Sequence, residues 1–399
     1  MINLLSNEKN KKIIHFLTIP ILSAVAVIPY CIYIKFQFNN LESLKEYYSI
    51  FINSFPFKIF YFFCYSLVFN LYPLNKKAIL LSFLSFLAIF LIWHFLRYIY
   101  PIEFLYITNT KLNIQAFQRI AITNIFSLVI FFILICLSYN KFIVNDIKGI
   151  NKFFIFTGNM AIFYLIIHSI LLIIYALYII FLSFIKSHSI YIDEYSFEIL
   201  ILKIPIVIFG LISMIIPFIL YILFSVFKKL KNISIYFARG IILIYLFLEF
   251  AALLGLISPY LRPYENKWIF ITHNIFLIFI VINLFFIMPN YKAGIFTKSI
   301  YLITPIFSAL FNIVVLSATI FRILEYSITE TKLIILLINI ATLIHLIMIS
   351  VCNIKSFIKA FKYEETTNIG NDKLVLYIYV YGILACIICF IIPVIFNNL

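Results

Sequence analysis

The sequence predicts an all-α fold, a polytopic integral membrane bundle of about eleven transmembrane helices, with about ten to twelve as the range. Three observations predict it. Hydrophobic residues make up 65% of the 399 residues and charged residues only 11%, too few to cover a core of that size in water. The apolar residues fall in runs of about 20, the length that crosses a bilayer. Basic residues outnumber acidic ones by 30 to 15, an excess that marks cytoplasmic loops in membrane proteins.

Each predicted span is an apolar run between polar or charged residues. The first follows a basic tail, residues 1–12, and is too long for the apolar core of a cleaved signal peptide. The second is short and contains Lys58 and Asn70, whereas the fifth is long enough to extend beyond the bilayer or to break. The runs are Ile13–Ile34, Phe57–Leu74, Ala78–Tyr98, Ile120–Tyr139, Phe153–Ile185, Ile204–Phe227, Gly240–Ile257, Ile269–Met288, Tyr301–Leu324, Leu333–Asn353 and Leu374–Phe396.

The distribution of Lys and Arg predicts the orientation of these spans. The N-terminus and the even-numbered loops contain 18 basic residues, and the odd-numbered loops with the C-terminus contain 12. The positive-inside rule therefore places the tail of residues 1–12 in the cytoplasm. The most basic loop, residues 228–239, is explained by topology or by contact with anionic lipids. No linker or soluble segment interrupts the pattern, so we expect one multispan domain over residues 1–399.

Polar groups at bilayer depth are the candidates for function, because burying them is costly. Glu249 is the strongest candidate, since it lies at the midpoint of the seventh run. Three interpretations stay open: a proton or cation relay, an anchor for a polar substrate, or a protonated carboxyl that only packs. Ala251 and Gly255 form a small-xxx-small pair beside it, which favours close approach of another helix.

The ninth run carries a polar face. At 100° per residue, five of its polar side chains fall within about 80° of one another. Such a face lines a cavity or serves as an interhelical contact, and this one ends in a guanidinium near the predicted outer surface. The five side chains belong to Thr304, Ser308, Asn312, Thr319 and Arg322.

Two histidines inside predicted spans, His168 and His345, are further candidates. A histidine in a span carries protons, binds a metal or packs through a hydrogen bond. No two histidines are spaced i, i+4 and no H-E-x-x-H motif occurs, so no metal site is expected. Cys386 and Cys389 form a C-x-x-C pair inside an apolar run, a context typical of buried thiols. The two histidines share helix faces with Thr157, Tyr164 and Tyr175, and with Asn339 and Thr342, respectively.

Several kinds of protein are disfavoured by absent motifs. The sequence has no P-loop, no G-x-G-x-x-G turn and no G-x-S-x-G elbow, which argues against a standard ATPase, dinucleotide enzyme or serine hydrolase. We therefore expect no cofactor, and membrane lipids rather than nucleic acid as partners. Asp193, Glu194 and Glu198 cluster in the predicted outer loop 186–203, where they form a cation site, an acid–base pair or only a solvated surface.

Residues 322–332 read Arg-Ile-Leu-Glu-Tyr-Ser-Ile-Thr-Glu-Thr-Lys. The segment resembles the Arg-Ile-x-x-Tyr-Gly-Leu-Thr-x-x-Arg signature of a bacterial multispan membrane family catalogued as domain of unknown function 4153. Arg322, Tyr326 and Thr329 match the signature, whereas Ser327 replaces its glycine and Lys332 its last arginine. The resemblance implies an integral protein of the bacterial inner membrane and brings no established activity.

Together these features favour a permease or transporter that moves a small polar or lipidic solute past Glu249 and the polar face of the ninth run. Two alternatives stay open. One is a membrane enzyme acting on an envelope lipid or glycan, with outer-loop carboxylates or histidines as acid and base. The other is a non-catalytic envelope or signalling partner, whose protein partners the sequence does not name. The small numbers of Gly (8) and Pro (12) run against the broken helices of many transporters.

The predicted orientation is testable by labelling single cysteines in a background from which the native cysteines are removed. Leu230→Cys should react with a membrane-impermeant reagent only from the cytoplasmic side. Glu194→Cys should react only from outside. A cytoplasmic residue 194 would show that the number of spans before that position is wrong.

Overall fold

The computed structural model describes residues 18–28, 55–70, 75–99, 110–188, 204–226, 233–255, 263–264, 266–287, 295–363 and 372–397. Within these ranges nearly every residue is helical and none lies in a strand. The predicted all-α class is therefore confirmed. Each of the eleven apolar runs contains a helix.

The helices follow the apolar runs but often extend beyond them. In chain order they are α1 Thr18–Ile28, α2 Phe55–Asn70, α3 Lys76–Ile99, α4 Thr110–Tyr139, α5 Ile147–His188, α6 Ile204–Val226, α7 Ile233–Gly255, α8 Lys267–Ile287, α9 Ile295–Tyr326 and α10 Glu330–Tyr363. The C-terminal helical segment then consists of a 3₁₀ helix Asp372–Tyr377, α11 Ile378–Cys386, a π-helical turn Ile387–Ile391 and α12 Ile392–Asn397.

The π-helical turn has a local cause in the sequence. Pro393 follows it and has no N–H to donate to a carbonyl of the preceding turn. The neighbouring Ile392 N–H bonds instead to the carbonyl of Ile387, five residues back. The last apolar run is therefore helical throughout, but its hydrogen-bond spacing changes along its length.

The described surface of this protein differs from that of a water-soluble one, because it exposes many large apolar side chains while polar side chains are buried. Buried side chains include polar ones such as Ser66 and Asn312, both 0% exposed. Large apolar side chains lie on the outside, for example Leu324 at 81% and Phe247 at 71% exposed. Among the described residues, six helices are by length and composition able to cross a membrane: Lys76–His94, Ile147–Phe184, Lys267–Phe285, Leu302–Tyr326, Glu330–Lys355 and Leu374–Phe396. An apolar exterior around polar contacts is what a lipid solvent requires, so the described helices indicate an integral membrane protein.

The fifth run forms one continuous helix. α5 has 42 residues, Ile147–His188, and at 1.5 Å per residue it is about 63 Å long. That length is about twice the thickness of the hydrocarbon core. Of the two alternatives from the sequence, an extension beyond the bilayer agrees with the structure, and a break does not.

The chain divides into two compact units by its internal contacts. Unit 1 comprises residues 1–124, 134–142 and 159–231, and unit 2 comprises residues 125–133, 143–158 and 232–399. The boundary passes through α4 and α5, each of which contributes residues to both units. Composition predicts one domain because no linker separates the two units.

Unit 1 contains a buried polar cluster at the end of α2. The Asn70 amide nitrogen donates to Ser138 Oγ at 2.5 Å, and Ser82 Oγ donates to the same oxygen at 3.1 Å. Ser138 Oγ in turn donates to the carbonyl of Ser66. Because α2, α3 and α4 each supply a member, the cluster holds the three helices together. It also accounts for a polar asparagine in the short second run.

Unit 2 holds α7, α8, α9 and α10 together with the C-terminal helical segment. α9 packs along α10, and α7 and α8 both pack against α9. An apolar core formed by α8 and α9 consists of Phe270, Leu277, Phe311, Val315 and Ala318. The polar side of α9 therefore lies inside a group of helices.

A three-residue turn, residues 327–329, joins α9 to α10. Ser327 adopts φ 60°, the left-handed conformation that glycine favours. The Lys332 ammonium donates to the carbonyls of Arg322 at 2.9 Å, Tyr326 at 3.0 Å and Ser327 at 2.7 Å. Its three protons satisfy three carbonyls at the end of α9. The tight turn thus forms with serine where the resembling signature has glycine.

Replacing Ser327 by glycine should stabilise the protein, because a Cβ at positive φ is strained and glycine has none. We expect Ser327→Gly to raise the free energy of unfolding by about 1 kcal/mol. The measurement is thermal unfolding in detergent. Ser327→Ala is the control, since it keeps the Cβ and removes only the hydroxyl. An equal gain in both variants would contradict the strain argument.

Candidate functional site

The polar face of α9 is buried inside unit 2. Four of its side chains are 0% exposed, and Arg322 at its end is half-buried. All five predicted members thus point away from the exposed apolar side of α9, where Leu310 and Ile313 lie. The four buried members are Thr304, Ser308, Asn312 and Thr319. We call these five residues the α9 polar face.

Glu249 contacts this face from α7. Its side chain is 1% exposed, although its neighbours Phe247 and Phe250 are 71% and 48% exposed. Ser308 Oγ donates a hydrogen bond to Glu249 Oε1 at 2.7 Å. Glu249 Oε2 is buried and has no hydrogen-bond partner within the described ranges. One carboxylate oxygen therefore joins α7 to α9, and the other is an acceptor without a donor.

One helical turn beyond Ser308, a network of amides connects α8, α9 and α10. Asn312 Nδ2 donates to the backbone carbonyl of Asn339 at 3.0 Å. Asn339 Nδ2 donates to Asn274 Oδ1 at 3.0 Å and to Thr319 Oγ1 at 3.3 Å. Asn274 Nδ2 completes the chain by donating to the Phe270 carbonyl. Asn312 Oδ1 is the exception, since it is buried without a partner in the part of the chain described.

Arg322 ends the polar face with contacts directed into the protein. Its Nε and Nη2 both donate to the carbonyl of Pro263, at 3.2 Å and 3.0 Å. Its guanidinium carbon also lies 4.9 Å from the ring centroid of Phe270. A planar fork and a stacked face are features that lysine does not have. Beside it, Tyr264 and Ser317 share a hydrogen bond of 2.6 Å, so residues 263–264 are held to α9 at two points.

The other residues of the resembling signature lie at the same helix end. Tyr326 is 62% exposed, and the Lys332 ammonium lies 5.5 Å from its ring centroid. The Thr329 carbonyl accepts the N–H of Leu333, and its hydroxyl accepts the N–H of Lys332. Arg322, Tyr326 and Thr329 thus serve helix ends and the turn in this structure.

His345 lies at a second buried position, between α10 and the C-terminal helical segment. It is 0% exposed, its Nδ1 is 3.2 Å from the Tyr381 hydroxyl, and its ring stacks on Tyr377 at 4.4 Å. Phe285 of α8 lies at 4.8 Å on another side. The tautomer decides whether the imidazole or the phenol donates. Nε2 has no partner among the residues described.

Three other sets of sequence candidates take no part in the contacts given above for the α9 polar face. His168 belongs to unit 1, where its Nδ1 bonds at 2.9 Å to the carbonyl of Tyr164 in its own helix. Cys386 and Cys389 are not joined in a disulfide. The outer-loop carboxylates of residues 186–203 lie outside the described residues.

The structure adds residues that the sequence analysis did not select. Asn274 joins the amide network, and the neighbouring His273 stacks on Phe311 at 4.8 Å. The sequence contains a signal that could have selected His273 and Asn274, because they are adjacent polar residues inside an apolar run. Tyr377 and Tyr381 carried no such signal, because the chain has 28 tyrosines.

No protein-family model matches the chain, and neither a curated protein nor a solved structure matches it significantly. The resemblance to the domain of unknown function 4153 therefore stays a prediction. Within the described residues, no group of three or more His, Cys, Asp or Glu side chains is placed to hold a metal ion. The function has to be inferred from the buried polar contacts of unit 2.

These contacts are of two chemical kinds. Most, such as the amide network and the Arg322 fork, pair each donor with an acceptor and hold helices in place. Glu249 Oε2 and Asn312 Oδ1 are buried and have no hydrogen-bond partner among the described residues. Leaving such groups unsatisfied is costly, so they mark places where a proton or another positively polarised atom fits.

Proposed function

We propose that the chain is a permease of the bacterial inner membrane that moves a small polar solute along the α9 polar face. It would cross the membrane about eleven times with a cytoplasmic N-terminus. Membership of the family catalogued as domain of unknown function 4153 is part of the proposal, carried by residues 322–332. Glu249 is the ionisable group of the pathway.

A single observation carries this proposal: the buried carboxyl of Glu249, with one oxygen bonded to Ser308 and the other without a partner in the described ranges. A carboxyl that served only to join α7 and α9 would be expected to use both oxygens. Ionisable groups at bilayer depth are costly and commonly belong to ion or substrate pathways. Glu249 fits that description because its neighbours on α7 are apolar and exposed.

The extent of the polar face supports a pathway rather than a single contact. From Ser308 to Arg322 is about 21 Å along α9 at 1.5 Å per residue. That distance is about two thirds of the hydrocarbon core. Thr319 and the Asn312 amide lie between, so polar atoms recur along the whole stretch.

Proline positions remove part of the argument against transport. Few prolines are present, but Pro305 lies inside α9 and Pro217 inside α6. Pro305 immediately follows Thr304, within the polar face. Transporters commonly place helix interruptions beside their midplane sites, and a proline next to buried polar groups agrees with that pattern.

The enzyme alternative has less support. Its acid and base were to come from outer-loop carboxylates, which lie outside the described residues, or from histidines. His345 is enclosed by aromatic rings, and His168 bonds within its own helix.

Glu249→Gln separates a working carboxyl from a packing one. Glutamine keeps the shape and can still accept the Ser308 hydrogen bond, but it does not titrate or carry charge. We expect the variant to unfold at the wild-type temperature in detergent and to lose the growth or transport phenotype that the intact gene supplies.

Glu325→Gln is the matched control, because the same change is made at an exposed carboxylate on α9. It should leave both stability and phenotype unchanged. Normal stability with a normal phenotype in Glu249→Gln would reject the transport role of Glu249. Lost stability would assign the residue to packing.

A further inference from the structure

We propose that Glu249 is a proton-binding site, that its carboxyl is neutral in this structure, and that the proton is the ion coupled to movement of the solute. The inference rests on the proposed transport function and names its coupling ion. It is tested separately from that function, because protonation of one carboxyl is measurable on the purified protein without any knowledge of the solute.

The first argument is the small number of donors around the carboxyl. Glu249 is 1% exposed, and Ala252 and Leu253, one turn further along α7, pack against the apolar core of α8 and α9. Oε1 accepts one hydrogen bond, from the neutral hydroxyl of Ser308, and Oε2 has no partner among the described residues. A carboxylate has about four acceptor positions. An ionised Glu249 would therefore be left with most of its hydrogen-bonding capacity unused.

The second argument is the lack of a countercharge. No described Lys, Arg or His forms an ion pair with Glu249. Arg322 lies 14 residues beyond Ser308, about 21 Å along α9, and its guanidinium donates to Pro263. The Lys332 ammonium donates to three carbonyls at the same helix end. A buried, unpaired charge costs far more free energy than a buried neutral group, so a carboxyl in this position keeps its proton.

The third argument concerns the other titratable side chains on the helices that pack against α7. Among the described side chains, α8 offers His273, and α9 offers Arg322. His273 stacks on Phe311, three residues after Ser308. Its Nδ1 lies 2.6 Å from the Ile269 carbonyl, which only accepts, so Nδ1 carries the hydrogen and Nε2 keeps a lone pair. His273 is therefore the competing proton site. The remaining described groups lie at helix ends: Lys267, Glu325 and Tyr326.

A proton on Glu249 gives each carboxyl oxygen a distinct role. Oε1 is the carbonyl oxygen that accepts from Ser308, and Oε2 carries the proton. Loss of the proton puts a charge on a group with one neutral donor, so the ionised form needs water or a polar group of the solute beside it. Release of the proton therefore requires that water or solute reaches Glu249, and this requirement couples the proton to the solute.

The test is labelling of the purified full chain in detergent with dicyclohexylcarbodiimide, an apolar reagent that reacts with neutral carboxyls. A carbodiimide nitrogen takes the acid proton, the carboxylate oxygen bonds to the central carbon, and the O-acylisourea rearranges to a stable N-acylurea. Peptide mass spectrometry locates the label. At neutral pH we expect it on Glu249 and not on Glu325, an exposed carboxyl of α9 that serves as the internal control. Above its midpoint, labelling should fall about tenfold per pH unit.

Three variants locate the proton, with the infrared carbonyl band of a neutral carboxyl as a second readout that needs no reagent. Glu249→Gln should fold, by circular dichroism and size-exclusion chromatography, and lose both the label and the pH-dependent band. His273→Gln should keep both. Ser308→Ala removes the donor that favours the charged form, so the pH of half-labelling should rise by about one unit. If Glu249→Gln does not fold, the located label and its pH dependence in the wild type decide.

Three results would overturn the proton proposal. The first is a folded wild type with neither the label on Glu249 nor the neutral-carboxyl band at neutral pH. The second is a pH-dependent band that persists in Glu249→Gln and disappears in His273→Gln. The third is protection of Glu249 from the reagent by NaCl, and not by choline chloride, at constant pH, because a metal cation would then occupy the site.

Failure of the proton proposal is distinguishable from failure of the transport proposal. An ionised Glu249 in the wild type, with a lost phenotype in Glu249→Gln, rejects the proton and keeps transport. A neutral, titrating Glu249 in the wild type, with a normal phenotype in a folded Glu249→Gln variant, supports the proton site and rejects its coupling to transport.

Discussion

The structure of unit 2 depends on one constraint: inside an apolar solvent, polar side chains must be satisfied by the protein itself. α9 carries a row of them, and the neighbouring helices are placed where they can meet it. Glu249 brings α7 to Ser308, while Asn274 and Asn339 bring α8 and α10 to the middle of the row. Large apolar side chains are also exposed on these helices, for example Phe247 on α7 and Leu310 on α9, so apolar character alone does not select the neighbours, and directional hydrogen bonds contribute to that choice.

The same helix separates structural contacts from candidate working groups. Toward its C-terminal end, the Lys332 ammonium donates to three backbone carbonyls. Two N–H groups of Arg322 donate to the carbonyl of Pro263. Each of these donors has an acceptor, and a strained turn joins α9 to α10. Toward the middle, Glu249 and Asn312 each keep an oxygen that no described residue donates to. The contacts that hold the helix end are therefore separate from the two acceptors left without a donor.

The fold could be predicted from the sequence to a useful extent, because both the composition and the length of the apolar runs are properties of the chain alone. The polar face of α9 could also be predicted from the sequence, since helical periodicity determines which residues share a side of the helix. Periodicity does not determine which helix that side meets. Asn274 as the partner of Asn339, and Tyr381 as the partner of His345, are therefore known only from the structure. The left-handed backbone of Ser327 is also known only from the structure, although glycine at that position of the resembling signature is consistent with it. The division into two units was also beyond the sequence, since it runs through continuous helices.

The contact between Glu249 and Ser308 is the most direct place to test the whole arrangement. A double-mutant cycle with Glu249→Leu, Ser308→Ala and the double variant, followed by the free energy of unfolding in detergent, measures their interaction separately from their individual costs. If the two side chains meet inside the membrane protein as described, the cycle should give a coupling energy of about 0.5–1.7 kcal/mol. Additive effects, with a coupling below about 0.3 kcal/mol, would contradict the placement of Glu249 against the α9 polar face.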